Sequence, residues 1–361
     1  MNDFDFTFNI TKILFFAGTT ALFSLFLAPL LINFLKKINF FKKKPREKAI
    51  SGEEAKVFKS LHREREVKVP RGGGILIWTS VTLVVLSIFF LAEFSQIWWL
   101  KKLNFLSRAE TWLPLFALIS ASIVGLIDDA FTVYGKGKYI GGGMGFWRRF
   151  LIVSLIGLVG GLWFYFKLNW DTIHLPLFFN FPAGIDIQIG PWIIFLFILV
   201  TLACWSGGVV DGIDGLAGGV FASIFGAFTI LAFSQGKVEL ATFSACIGGA
   251  LFAFLWYNVP PAKFYMGETG VMGLTTTMAV VAFLTDSVFV LPIIAGILVI
   301  ESGSVILQLL SKKIRKKKIW LCAPLHHHFE AKGWPPYQVT MRFWILSLVF
   351  AILGVAIRLL R

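Results

Sequence analysis

Charge is scarce in this sequence. Only 15% of its 361 residues are charged, against about a quarter in a soluble globular domain, and histidine occurs five times. Cysteine is nearly absent: Cys204 and Cys246 fall in apolar stretches and Cys322 in a basic one, which excludes a disulfide framework. Neither an internal repeat nor a low-complexity linker divides the chain, so residues 1–361 read as a single domain. No basic segment precedes the first apolar run and no A-x-A-like site follows it, which argues against a cleaved signal peptide.

Apolar length is abundant. Hydrophobic residues make up 57% of the chain, with 39 Phe and 13 Trp. About ten apolar runs stand at 11–34, 73–93, 112–131, 147–167, 191–209, 213–233, 238–257, 270–285, 288–311 and 341–359. Runs near 18–20 residues match the hydrocarbon thickness of a bilayer when helical. The expected fold is an all-α polytopic membrane protein of about ten transmembrane helices.

The net charge of +14 is concentrated in alternate loops. Thirteen Lys and Arg fall between Lys36 and Arg71 and eight between Lys312 and Arg342, whereas 168–190 carries Asp171 and Asp186 and none. The 94–111 loop, with Lys101, Lys102 and Arg108, fits this alternation least. The positive-inside rule puts the basic loops in the cytoplasm and both termini outside. The cytoplasmic loops are then about 36–72, 132–146, 207–214, 258–270 and 312–340. Such a distribution sets orientation and contacts anionic lipid; it does not call for nucleic acid.

Every chemically suggestive stretch lands on that side: "KVPRGGG" (68–74), "GLIDDA" (125–130), "VVDGIDGLAGG" (209–219), "NVPPAKFYMGETG" (258–270) and "APLHHHFEAKGW" (323–334). One active site at the cytoplasmic membrane edge would produce this clustering. Asp128 and Asp129 are costly near hydrocarbon unless paired, hydrated or bound to a cation; a hydrated helix end is the bland alternative. Asp211 and Asp214 share one face if their segment is helical, and the glycines between them leave room for a ligand or for a packing helix. Glu268 should sit near a helix N-terminus whose free N–H groups suit phosphate, with Lys263 as a charge partner and Tyr265 as a flat face for a base or sugar. Adjacent histidines point in different directions, so His326, His327 and His328 are poorly spaced to grip one metal together. The bland reading makes them a solvated loop; the sharper one makes them donors around phosphate and sugar oxygens. Hard carboxylate oxygens with few thiolates favour Mg²⁺ or Mn²⁺, and the assembly suggests phosphoryl transfer involving a diphosphate.

These motifs resemble the polyprenyl-phosphate N-acetylhexosamine-1-phosphate transferase superfamily over essentially the full length. "APLHHHFEAKGW" followed by "VTMRFWI" (339–345) resembles its phospho-N-acetylmuramoyl-pentapeptide-transferase branch. The resemblance implies a bacterial inner-membrane, Mg²⁺-dependent enzyme of peptidoglycan synthesis. It would transfer phospho-MurNAc-pentapeptide from UDP-MurNAc-pentapeptide to undecaprenyl phosphate, giving lipid I and UMP. By the same resemblance, Asp128 and Asp129 lie at the lipid-phosphate side, one as base or phosphate positioner. Asp211 positions the reacting phosphates and, with Glu268, holds the metal. Gly212, Ile213 and Asp214 line the uracil site, with Tyr265 stacked on the base. Asn258, His326, His327 and His328 hold the nucleotide sugar, and Lys136, Lys263 and Arg71 complete the substrate-binding set. The implied partners are the two substrates and the bilayer, with a homodimer left open and no nucleic acid.

Four positions depart from the branch pattern. "KVPRGGG" replaces Gly-Thr-Pro-Thr-Met-Gly-Gly and looks more like the GlcNAc-1-phosphate relatives; Lys136 is the nearest lysine after the Asp pair; Gly208 replaces an Asn; Glu268 replaces an Asp. A GlcNAc-1-phosphate transferase and a catalytically lapsed relative are therefore the competing readings. A secondary transporter would need charge deep in its spans, and only Glu301 looks mid-span.

The topology predicts that cysteine-labelling probes placed in 36–71, 132–149 and 319–338 react from the cytosolic side alone, and probes in 168–190 from outside alone. Labelling of 319–338 from outside would dismantle the single-site reading.

Overall fold

The computed structural model describes residues 3–42, 65–107, 110–135, 137, 142–175 and 184–360. Lys136 and most of the 36–72 loop lie outside the described residues. The N-terminal half contains α1 (Asp3–Lys37), the single turn α2 (Arg65–Lys68), α3 (Gly74–Phe94), the short α4 (Trp98–Leu103), α5 (Trp112–Tyr134) and α6 (Phe146–Leu162). A two-stranded antiparallel hairpin follows, β1 (Thr172–Leu175) and β2 (Ile185–Gln188). The rest comprises α7 (Trp192–Ser206), α8 (Leu216–Ser234), α9 (Val238–Asn258), α10 (Gly267–Leu284), α11 (Leu291–Ile294), α12 (Gly296–Arg315), α13 (Leu325–Ala331) and α14 (Pro336–Leu359).

Among the described residues, nine helices are long and apolar enough to cross a membrane: α1, α3, α5, α6, α7, α8, α9, α10 and α14. Their outward faces are as apolar as their packed ones, with Leu22 and Phe26 on α1 and Ile345 and Ile352 on α14 exposed. Water would not tolerate an apolar exterior of this extent. Hydrocarbon does, because a helix satisfies its own backbone. The protein is a multi-pass, all-α membrane protein, with the small hairpin as its β structure among the described residues.

The apolar run at 288–311 takes a different form from the expected span. It breaks at Ala295, which leaves helical geometry (φ −95°, ψ 30°), into α11 and α12. Helix α12 buries Glu301, Ser304, Gln308 and Ser311 and exposes Ile306, Leu307, Leu310 and Ile314. This polar-in, apolar-out pattern inverts the amphipathicity of a water-facing helix and suits one that borders lipid. The inward side of α12 organises the loop that follows. Gln308 accepts hydrogen bonds from the Ile319 and Trp320 N–H groups (2.9 and 3.1 Å) and donates to the Trp320 carbonyl (2.9 Å).

Helix α10 is the axis of the bundle, with 94% of its span buried. Two of its buried threonines return their hydroxyls to the helix, Thr275 to the Val271 carbonyl (2.8 Å) and Thr277 to that of Gly273 (2.7 Å), so those two need no outside partner. Glycines let neighbours reach it: a Cβ at Gly125 of α5 would overlap the Glu268 carbonyl, and one at Gly74 of α3 the Gly270 backbone. Both chain ends lie at the same end of the bundle. Phe6 packs on Phe233 at the end of α8 (5.7 Å between rings), and Arg358 donates to the Asp286 carbonyl just beyond the C-terminus of α10 (3.0 Å). The N-terminus of α10 and the motifs around it occupy the opposite end.

Candidate functional site

Helix α10 has no N-cap side chain of its own, although its first N–H groups have no intrahelical acceptor. Other elements supply the acceptors. Asp211 Oδ2 accepts from Gly267 N (3.1 Å), and Asp129 accepts from Glu268 N and Thr269 N (3.1 and 3.0 Å). The expectation that these N–H groups stand free for phosphate is therefore corrected. The helix dipole draws two carboxylates instead, and the first turn serves as a collar that gathers acids.

Two guanidiniums complete the collar. Arg149, from the first turn of α6, grips Asp128 through Nε and Nη2 (2.9 Å each) while its Nη1 meets Glu268 Oε1 (2.9 Å). Its planar fork suits this bidentate role. Asp128 also accepts from Met144 N (2.7 Å). Arg71 approaches Asp129 at 3.9 Å. Four carboxylates, Asp128, Asp129, Asp211 and Glu268, thus face two cations, leaving a formal excess of two negative charges. Burial pushes the Asp211 carboxyl up to about 6, with nearby Arg71 pulling it back down.

Asp211 Oδ1 and Glu268 Oε2 carry no hydrogen bond among the described residues, and Glu268 is partly open to solvent. The set offers one or two hard oxygens in an acidic surround, not a closed cage. That fits Mg²⁺, which takes one or two carboxylates and completes its shell with water and substrate phosphate.

The D-G-I-D-G segment is not helical, so its two aspartates do not share a face. A 3₁₀ turn (Gly207–Val210) ends at Asp211, which turns toward α10. Asp214 turns away, accepting from Ala262 N through Oδ2 (3.1 Å), and its carbonyl accepts from Thr340 (2.9 Å). Asn258 is buried behind the loop: its Oδ1 accepts from Gly215 N (3.0 Å) and its Nδ2 donates to the Phe264 carbonyl (2.8 Å). Asn258 therefore ties two motif loops together. At the rim, Lys263 is exposed with its ammonium over the Tyr257 ring (5.4 Å). Tyr265 pairs its backbone with Pro70 and Gly73 (2.9 and 2.7 Å).

The histidines lie on α13, a short helix. His326 is fully buried; Glu301 accepts from its N–H (3.1 Å) and from its Nδ1 (2.8 Å). The other ring nitrogen, Nε2, is buried without a hydrogen-bond partner among the described residues and faces Gly212, where a Cβ would overlap it. His327 is oriented by Glu330 (2.7 Å) with its ring 4.1 Å from that of His326. His328 turns the other way and accepts from Leu321 N (3.2 Å). Burial and then Lys332 lower its pKa.

The structure thus brings together Asp128, Asp129, Asp211, Glu268 and Arg71 at the collar, and Gly212 with His326 and His327 beside it. Arg149, Glu301 and Glu330 were not singled out by sequence as site residues. Arg149 lies just after the 132–146 loop, and no spacing rule links it to Asp128 or Glu268. Glu301 read as an isolated mid-span acid, although an acid placed on a span is itself a signal that a partner must exist.

Comparison with known proteins fits this geometry. The glycosyl transferase family 4 profile matches residues 111–286. The phospho-N-acetylmuramoyl-pentapeptide-transferase of Anoxybacillus flavithermus is 30% identical over 352 residues, 97% of this chain and 98% of the relative. That of Bacillus subtilis is 32% identical over 339 residues (93% and 94%), and that of Bacillus velezensis 33% over 337 (93% and 94%). The chain belongs to the phospho-N-acetylmuramoyl-pentapeptide-transferase family. Within this family member, the collar and the histidine pair are both built by side chains remote in sequence from one another.

Glu301→Gln tests the histidine pair. Glutamine keeps the shape of Glu301 but presents an amide where the His326 Nδ1–H finds a carboxylate. Loss of such an orienting partner costs about 10- to 100-fold, so transferase turnover should fall by that factor with the melting temperature little changed. Wild-type turnover would show that the orientation of His326 is immaterial.

Proposed function

We propose that this enzyme transfers phospho-N-acetylmuramoyl-pentapeptide from its UDP-linked form to undecaprenyl phosphate, yielding lipid I and releasing UMP. The observation that carries the reading is the acidic collar at the N-terminus of α10, with its formal excess of two negative charges, beside a buried imidazole nitrogen without a hydrogen-bond partner among the described residues. A reaction centred on a diphosphate needs a divalent cation and fixed donors in that relation.

In this reading Asp211 and Glu268 hold Mg²⁺, which when bound offsets the charge of the diphosphate. Arg149 holds Asp128 and Glu268 in register. Asp128 and Asp129 face the lipid phosphate, one of them taking its proton or positioning it, and Arg71 balances their charge. Gly212, Ile213 and Asp214 border the uracil, Tyr265 stacks on it, and Lys263 and Lys136 meet phosphate. Asn258 supports the nucleotide-sugar site from behind, while His326, His327 and His328 serve sugar and phosphate oxygens. Basic loops at 36–71 and 312–342 support a cytoplasmic orientation for this end of the bundle, in a bacterial inner membrane. Each group comes from one chain, so the reading needs no second copy.

The competing reading, a GlcNAc-1-phosphate transferase, rested on "PRGGG". Those glycines have packing reasons. Gly73 N donates to the Tyr265 carbonyl (2.7 Å) and Gly74 N to that of Met266 (2.9 Å). A Cβ at Gly73 would meet Phe254, Phe264 and the Tyr265 carbonyl within 2.9 Å. The loop braces the collar from behind, which favours the muramoyl-pentapeptide substrate by removing the main argument for the alternative. Purified protein given undecaprenyl phosphate and Mg²⁺ should release UMP from UDP-MurNAc-pentapeptide and not from UDP-GlcNAc. The reverse preference would overturn the assignment.

Glu268 allows a second test. Glutamate carries the charge of aspartate with oxygens about 1–1.5 Å further out, and misplacement by 1 Å costs about a hundredfold. Glu268→Asp should retain part of the activity, and Glu268→Gln, without the charge, nearly none. Parental turnover by Glu268→Gln would remove Glu268 from the metal site.

A further inference from the structure

At the other end of α10, three side chains from separate stretches converge without any role in the transfer reaction. His174 on β1 pairs directly across the hairpin with Asp186 on β2. Its Nδ1 lies 2.7 Å from Asp186 Oδ1, and its backbone N–H donates to Asp286 Oδ1 (3.1 Å). One ligand atom from each of His174, Asp186 and Asp286 falls within 4.8 Å of the others, and among the described residues this is the one group of three that closes so tightly.

Each of the three is positioned by something else. Asp286 stands in the left-handed region (φ 51°), with its carbonyl held by Arg358 Nε (3.0 Å). The two carbonyls before it are held by Lys237 and by Gln235 (2.5 and 2.6 Å). The His174 ring lies against Gly184, where an added Cβ would come within 2.6–2.7 Å of it, so the imidazole is fixed with Nδ1 toward the carboxylates. Asp186 is 71% exposed, which leaves the cluster open to the medium on one side.

We propose that His174, Asp186 and Asp286 form a divalent-cation site of the zinc class that fastens the hairpin to the C-terminal end of α10. One imidazole and two carboxylates with an open fourth position is a zinc donor set. A cation that prefers oxygen ligands, such as Mg²⁺, has less use for the nitrogen. Arg358 approaches Asp286 Oδ2 at 3.8 Å, beyond hydrogen-bond distance, so the carboxylate keeps lone pairs for a metal. The surface ion pair alone would hold the hairpin weakly; a metal would hold it firmly. The site is independent of the transferase chemistry, since α10 separates the two by about 27 Å at 1.5 Å per residue.

The test uses full-length, metal-stripped protein in detergent, titrated with Zn²⁺ against a chromophoric chelator. Wild type should bind one equivalent that His174→Ala and Asp186→Asn each bind about tenfold more weakly or worse. Zinc should also slow amide exchange in the hairpin of wild type and not of either variant. The histidines of α13 are present in all three proteins, so any zinc held there cancels. Asp186 is exposed, which makes Asp186→Asn safe for folding, and equal melting temperatures in EDTA check this. Binding by either variant within tenfold of wild type, or no zinc bound by wild type, overturns the site.

Discussion

Three N–H groups at the start of α10 hold this structure and its site together. They belong to the most deeply buried helix of the bundle, so water is a poor substitute partner. Leaving a buried donor unsatisfied costs about 1–3 kcal/mol. The chain meets that demand with Asp129 and Asp211, brought from α5 and from the turn before α8. The hydrogen bonds that let α10 begin at Gly267 are therefore the ones that collect the acids. In the proposed function, fold and chemistry therefore share the same atoms.

The collar closes only because backbones approach closely around it. Gly125 lets α5 come onto the Glu268 carbonyl, and Gly74 lets α3 come onto Gly270. Any larger residue would push Asp129 away from the N–H groups it caps. Arg149 then performs a second task that glycine cannot. It holds Asp128 and Glu268 at hydrogen-bond distance from one guanidinium, so two like charges can stand near each other before any metal or substrate arrives. His326 and His327 are handled in the same manner, each with its own carboxylate, Glu301 or Glu330, fixing which nitrogen looks inward.

Much of this was legible in the chain. Nine of the ten apolar runs are long apolar helices, because length and hydropathy are local properties that hydrocarbon reads directly. The five motifs were legible as a cluster because the basic loops assign them to one side. What escaped was pairing at a distance. Arg149 and Glu268 are 119 residues apart, and Asp129 and Glu268 are 139 apart; no spacing rule links them. The D-G-I-D-G spacing suggested a shared helical face, but the segment follows a 3₁₀ turn as irregular chain, and its aspartates go to different partners. The break at Ala295 hid inside a run whose hydropathy alone looked continuous.

Helix α10 is secured at both ends by groups from elsewhere. Asp129 and Asp211 cap its N-terminus. At its C-terminus, the Leu284 and Thr285 carbonyls accept from Lys237 and Gln235, and Asp286 just beyond is held by Arg358 and the hairpin. Cationic and amide donors at the carbonyl end and carboxylates at the N–H end both complement the helix dipole. A helix so fixed cannot slide along its axis or rotate without breaking contacts at both ends at once. Glu268 stands in its first turn, so the position of that carboxylate is set by the whole length of the bundle and not by a loop. A carboxylate in the first turn of a helix fixed in this way is held more rigidly than one carried on a loop.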